Sequence, residues 1–169
     1  MNIWWLATAK NDGYCSYNEL KYRKVLAQGW SQIGDLRALL PLQNEEMFQE
    51  VIRALVKYVY NDLEPSDKPV KTILNLLKMQ TNDLVLCTEG TTVKGIAKIT
   101  SEPKYRYDDG GGQYEYAQTI FPITDWVDWD ESVVAPPSTS TRGPAGIQQF
   151  QGDKQAILDA YEKLTLNRK

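Results

Sequence analysis

Leu84-Val85-Leu86-Cys87-Thr88-Glu89-Gly90-Thr91-Thr92-Val93-Lys94-Gly95-Ile96-Ala97-Lys98-Ile99 is the stretch on which the fold turns. Leu84 to Cys87 is an unbroken apolar run, long enough for a buried strand and too short for a helix. Glu89-Gly90-Thr91 is a turn, and Val93 to Thr100 resumes with β-branched residues around Gly95. Two strands joined by a short glycine-containing turn read as a hairpin. The hairpin predicts strands at 84–88 and 93–100. It also puts a sheet in the middle of a chain whose preceding third is helical.

That helical third lies immediately upstream. Asn44-Glu45-Glu46 opens a helix predicted over about 45–61, with Phe48, Val51, Ile52, Leu55, Val56 and Val59 expected on one buried face. Pro69 stands near the start of a second helix that turns Val70, Ile73, Leu74 and Leu77 inward. At the N-terminus, Ile3 to Ala9 reads as a strand. Because side chains alternate along a strand, Trp4 and Trp5 must face opposite sides. Ser16 and Glu19 form a capping box for a helix expected to run to about Gln28, with Gly29 as its stop.

Downstream, 114–129 is expected to add strand, with Pro122 marking an edge or bulge. The same alternation sets Trp126 opposite to Asp125, Val127 and Trp129. A long loop is expected over about 131–152 and a C-terminal helix, capped by Asp153, over about 153–165. The whole is read as one domain over 1–169, of the α+β class: a small curved mixed sheet or partly open β-barrel flanked by helices.

Composition narrows the chemistry. The 169 residues are 42% hydrophobic and 24% charged, with a net charge of -3, which suits a folded domain and opposes a nonspecific polyanion clamp. No run approaches the ~18 apolar residues of a membrane span, and no signal peptide precedes Ile3, so no membrane partner is expected. Two cysteines, Cys15 and Cys87, do not make a disulfide framework; a reducing cytoplasm is expected. The absence of histidine removes Ser-His and Cys-His nucleophiles and His-ligated metals. Gly90 and Gly95 have the spacing of a phosphate loop, but Ile96 stands where its lysine belongs. The acidic residues Asp108, Asp109, Asp125, Asp128, Asp130 and Glu131 lack the spacing of a calcium loop and read as a solvated surface. Gly110-Gly111-Gly112 reads as a loose hairpin tip, or as backbone that a ligand can approach.

Asp83 followed by Glu102-Pro103-Lys104 superficially fits a Mg²⁺-dependent nuclease, with Asp83 and Glu102 on the metal and Lys104 on the water. Pro103 interrupts the strand such a site needs, so no cofactor, metal or catalytic residue is assigned and the chain is read as a non-enzyme. Five Trp and ten Tyr are then the notable reserve. Trp30 sits in a polar, glycine-flanked segment. It serves either as a stacking surface or as a plug on the core.

The order of these pieces resembles the EVE-like domains of the PUA superfamily, particularly those of McrB-type modification-dependent restriction proteins. The resemblance lies in Gly29-Trp30-Ser31-Gln32-Ile33-Gly34-Asp35-Leu36, Asn82-Asp83-Leu84-Val85-Leu86, Val93-Lys94-Gly95-Ile96-Ala97-Lys98-Ile99, Tyr105-Arg106-Tyr107 and a strand ending in Trp126 or Trp129. It covers roughly residues 3 to 129. Asn82 replaces the glycine usual before Asp83, and Gln118 to Pro122 lacks the basic residues often seen before the closing Trp.

The resemblance implies a DNA-binding module that holds a flipped-out modified base in an aromatic pocket and targets a prokaryotic restriction system. A reader of modified RNA, related to YTH domains, is the alternative, and the small nuclease is the alternative of another class. The implied partners are modified double-stranded DNA and a GTPase motor and nuclease, fused or in complex. The implied pocket walls are Trp30 and an aromatic of the last strand, Trp126 first and Trp129 second. Tyr14, Tyr17, Tyr105 and Tyr107 are looser candidates, and Ser31, Gln32 and Asp35 stand near the mouth. Burying one methyl contributes only ~0.8 kcal/mol, so such a pocket must also hydrogen-bond the base edge to be selective.

Overall fold

The computed structural model describes residues 1–8, 16–27, 33–40, 44–60, 67–105, 119–140 and 143–168. Its elements, in chain order, are β1 (Ile3–Thr8), α1 (Tyr17–Arg23), β2 (Val25–Ala27), a 3₁₀ turn (Leu36–Leu39), α2 (Glu45–Val59), α3 (Asp67–Lys78), β3 (Leu84–Glu89), β4 (Thr92–Lys98), β5 (Lys104–Tyr105), β6 (Thr119–Pro122), β7 (Val127–Asp128), β8 (Ile147–Gln149) and α4 (Lys154–Leu166). The class is α+β, and the strands form two open sheets, neither closed into a barrel.

The larger sheet has the order β7-β4-β3-β1-β8. The expected hairpin is its centre: β3 pairs antiparallel with β4, with a register shift between Cys87 and Thr88. β1 lies parallel to β3, Ile3 opposite Leu84, and this single parallel pair makes the sheet mixed. Continuous apolar composition over Leu84–Cys87 follows from burial on both faces. One face carries Trp4, Leu6, Val85, Cys87, Ala97 and Trp126. The other carries Ile3, Trp5, Leu84, Leu86, Ile96, Val127 and Trp129, covered by Ile157, Ala160 and Leu164 of α4. The opposed facings expected of Trp4 against Trp5, and of Trp126 against Val127 and Trp129, are therefore found.

The smaller sheet, β2-β6-β5, is antiparallel. It joins the larger one at a corner, where Ile99 bridges Ile123 and Thr100 N–H donates to the Pro122 carbonyl at 3.0 Å. Helices α2 and α3 pack together over a third cluster made by Leu36, Phe48, Ile52, Val56, Val70, Ile73, Leu74 and Leu77.

Four expectations need correction. The strand expected over 114–129 is broken within its described part: β6 ends at Pro122 in the smaller sheet, and β7, Val127–Asp128, belongs to the larger one. The first helix does not reach Gln28: Lys24 enters the left-handed region at φ 55 and closes it, its N–H donating to Leu20 and Lys21 carbonyls. Val25-Leu26-Ala27 then forms β2, because three consecutive buried residues are better used by pairing with β6 than by a helix with one apolar face. The 131–152 loop is not strand-free, since Ile147–Gln149 adds to the edge of β1. Val51 lies off the buried face of α2, at 37% exposure.

Two backbone details explain residues in the resembling motifs. Asn82 has φ 75, so the turn before Asp83 demands the left-handed conformation that glycine adopts freely and asparagine tolerates best among the rest. Gly95 is required for space. A Cβ there would stand 2.1 Å from the Tyr17 hydroxyl oxygen and 2.7 Å from the Val127 carbonyl oxygen. The bare backbone of β4 is the gap through which Tyr17 reaches Asp128 on β7.

Candidate functional site

The three-stranded sheet positions a polar constellation at one end. Ala27 pairs with Ile120, and Tyr105 pairs with Thr119, so the chain leaving β2 and the chain leaving β5 depart from neighbouring positions. Buried Thr119 turns its hydroxyl to the next returning segment, accepting from Leu36 N–H at 3.2 Å. Leu36 is itself buried in the α2–α3 cluster, so the 3₁₀ turn is fixed from both sides.

Gly34 at φ 86 turns the chain into this segment, and Asp35 caps it by accepting from Arg37 N–H at 3.0 Å. The Arg37 guanidinium grips the same carboxylate through Nε at 3.0 and 3.1 Å and Nη2 at 2.8 Å. The side-chain hydrogen bonds from Arg37 hold the Asp35 carboxyl below the usual carboxylate range, against the opposing effect of burial. Arg37 Cζ also lies 5.8 Å from the centre of the Tyr105 ring, within cation–π range. The guanidinium charge is thus answered by the Asp35 carboxylate, and its carbon lies over the Tyr105 ring.

Beside it lies an open cleft of about 740 Å³. Leu40, Leu77, Met79 and Pro103 supply apolar walls, and Gln80 and Glu102 supply polar ones. Leu40 N–H donates to the Arg37 carbonyl at 3.0 Å and Pro103 precedes β5 by one residue, while Asp35, Arg37 and Tyr105 themselves do not line the cleft. The volume falls within the ~300–1,000 Å³ of small-molecule sites.

Of the residues expected at the site, the structure thus brings Asp35 and Tyr105 together, through Arg37. It also brings Tyr17 and Trp126 together, but inside the core. Their rings meet edge-to-face at 5.6 Å and 75°, with Trp126 1% exposed. The Trp126 indole N–H donates to the Val25 carbonyl at 3.1 Å. The Tyr17 hydroxyl donates to Asp128 Oδ1 at 2.8 Å, and burial first, then that carboxylate, pushes the phenol well above its usual range. Trp129 is on the opposite face of the sheet, its indole N–H donating to the Val134 carbonyl at 3.1 Å. In this arrangement neither tryptophan turns an open ring face to solvent. Trp30, Ser31, Gln32, Tyr14 and Tyr107 lie outside the described residues.

Arg37 and Thr119 escaped the sequence reading. The available signal was Asp35-Leu36-Arg37, an acceptor and a fork donor two apart at a helix cap. Nothing in the sequence joins Thr119 to Leu36.

Asp83, the first residue of the nuclease pattern, is 1% exposed. It accepts from Asn2 N–H at 2.6 Å, Trp4 Nε1 at 2.8 Å and Gln80 N–H at 3.1 Å. It therefore ties the start of β1 to the turn before β3. Glu102 and Lys104 are exposed on the neighbouring loop and strand. Among the described residues no three Asp, Glu or Cys side chains converge on a metal-sized site. No helix among them is long and apolar enough to cross a membrane.

No family model matches the sequence, and no curated protein matches it. A solved structure, protein Atu2648 from Agrobacterium tumefaciens, is similar over 100% of this chain and 97% of its own, at 12% identity and a TM-score of 0.44. At that level of likeness no argument rests on it.

Proposed function

We propose that this chain is a binding module for nucleic acid carrying a modified base, with the base held at the end of the second sheet where Tyr105 meets Asp35 and Arg37 of the 3₁₀ turn. The observation that carries the reading is the convergence at this end. The residues flanking the Trp30 segment, Ala27 and Ile33–Leu36, belong to the same corner as Tyr105 and Thr119, which flank the Tyr107 segment. The resemblance draws one pocket wall from the first of these segments, at Trp30, and offers Tyr105 and Tyr107 of the second as looser candidates; its preferred second wall, Trp126 or Trp129, is buried in the core. Arg37 and Tyr105 supply the planar cation and the ring that such a pocket uses, since bases stack on either.

The expected ligand is double-stranded DNA with one modified base extruded from the stack, at a cost of a few kcal/mol. Stacking returns about 1–3 kcal/mol per base, so loss of one wall is measurable. Trp30→Ala is expected to weaken binding of modified duplex by about 1–3 kcal/mol while melting remains close to the parent. The test is a panel of matched DNA and RNA oligonucleotides carrying 5-methylcytosine, 5-hydroxymethylcytosine or N6-methyladenine, run at two salt concentrations because phosphate contacts weaken with salt. Equal affinity for modified and unmodified strands would overturn the reading. Preference for modified RNA would move it to the RNA alternative.

A further inference from the structure

Helix α2 is apolar over more of its circumference than the fold covers. At ~100° per residue, Ala54, Met47, Tyr58, Val51, Leu55, Phe48, Val59, Ile52 and Val56 follow one another around an arc of about 200°. The fold uses one half of that arc: Phe48, Ile52 and Val56 are buried, with Leu55 packed against them. The other half is open, with Tyr58 83%, Met47 60% and Val51 37% exposed. Met47, Val51, Ala54 and Tyr58 are spaced 4, 3 and 4, the seam of a helix that meets another helix.

The charges beside this seam indicate what covers it. Glu50 and Lys57 lie on the same flank, both exposed, and no ion pair within the described chain engages either. They are seven residues apart, two helical turns or ~10.5 Å. Midway between them stands Ala54, a side chain small enough for close helix approach. Two copies of α2 laid antiparallel across Ala54 bring Glu50 of each beside Lys57 of the other, twice by symmetry, and set Met47 of each near Tyr58 of the other. A seam that is self-complementary under a two-fold axis is the mark of an isologous contact. We infer that the exposed stripe of α2 is a homodimer interface in which two copies of the helix pair antiparallel.

The stripe runs over the twelve residues from Met47 to Tyr58, about 16 Å, and is short beside the ~1,200 Å² buried by stable dimers. The dimer is accordingly weak, with a dissociation constant on the order of 100 μM. It is tested by sedimentation equilibrium on the full chain, from roughly a tenth of that concentration to ten times above it. Concentration-dependent dimerisation is expected. Val51→Glu is expected to weaken it at least tenfold with unchanged melting, and Tyr58→Ser provides the same readout at a more exposed position. Glu50→Lys and Lys57→Glu are each expected to weaken association several-fold, and the double variant to restore it. A parent chain that stays monomeric throughout, or a dimer indifferent to both seam variants, would overturn the proposal. So would a double charge swap that fails to recover, since recovery is specific to the antiparallel arrangement.

Discussion

The two sheets use their aromatic residues in opposite ways. In the five-stranded sheet, Trp4, Trp5, Trp126 and Trp129 are all buried, two on each face, and three of the four indole N–H groups have named acceptors: Asp83, the Val25 carbonyl and the Val134 carbonyl. A buried indole with its N–H satisfied is stable core, since the ring is packed and the single donor is not left orphaned. At the end of the three-stranded sheet, Tyr105 is only partly buried, with the Arg37 guanidinium carbon 5.8 Å from its ring centre. What separates the two regions is therefore burial: the four indoles are packed into the faces of the larger sheet, and the Tyr105 ring is only partly covered. Aromatic content alone does not distinguish them.

The contrast is open to direct attack. The largest expected effect is on Trp126. Trp126→Ala removes a fully buried ring and its bond to Val25, and about 3–5 kcal/mol of stability is expected to be lost in urea unfolding. A loss below ~1 kcal/mol would show that the Trp126 ring is not the core element its burial indicates. Gly95→Ala comes next. Its Cβ would collide with Tyr17 and the Val127 carbonyl, and overpacking of this kind costs about 1–3 kcal/mol. Combining it with Tyr17→Phe removes the atom at 2.1 Å but leaves Cζ at 2.7 Å, so only partial recovery is expected.

The smallest effect on stability is expected at the other end of the molecule. Arg37→Ala breaks a partly exposed ion pair, for which the loss should stay below ~1 kcal/mol. Its signature is in titration. The Asp35 carboxyl is held low by Arg37, so its contribution to stability is present above the unfolded carboxylate value of ~3.9 and is lost as pH falls through the lower folded value. In the variant the carboxyl resonance of Asp35 should titrate closer to the ordinary range, and that part of the acid dependence should disappear. If Arg37→Ala instead unfolds the chain, the constellation belongs to the core and the distinction between the two regions fails.

The elements whose pattern is local could be read from the order of residues. The hairpin at 84–99 was legible because a continuous apolar run, a glycine turn and a β-branched run exclude other readings. Helix α2 was legible from its Asn44 cap and its 3-4 spacing, and α4 from Asp153. Alternation along a strand sufficed to send Trp4 and Trp5, and Trp126 and Trp129, to opposite faces. Asp35 and Tyr105 were named as candidates, though nothing local showed that they meet. Tertiary structure alone decided that Val25–Ala27 is a strand, because its pairing partner Ile120–Pro122 lies about a hundred residues away and no local propensity reports it. It decided that Gly95, within its strand, is a passage for Tyr17, that Arg37 links Asp35 to Tyr105, and that only half of the apolar arc of α2 is covered. Each of these depends on which surfaces meet across long sequence separations, and periodicity records the presence of an apolar face without recording what packs on it.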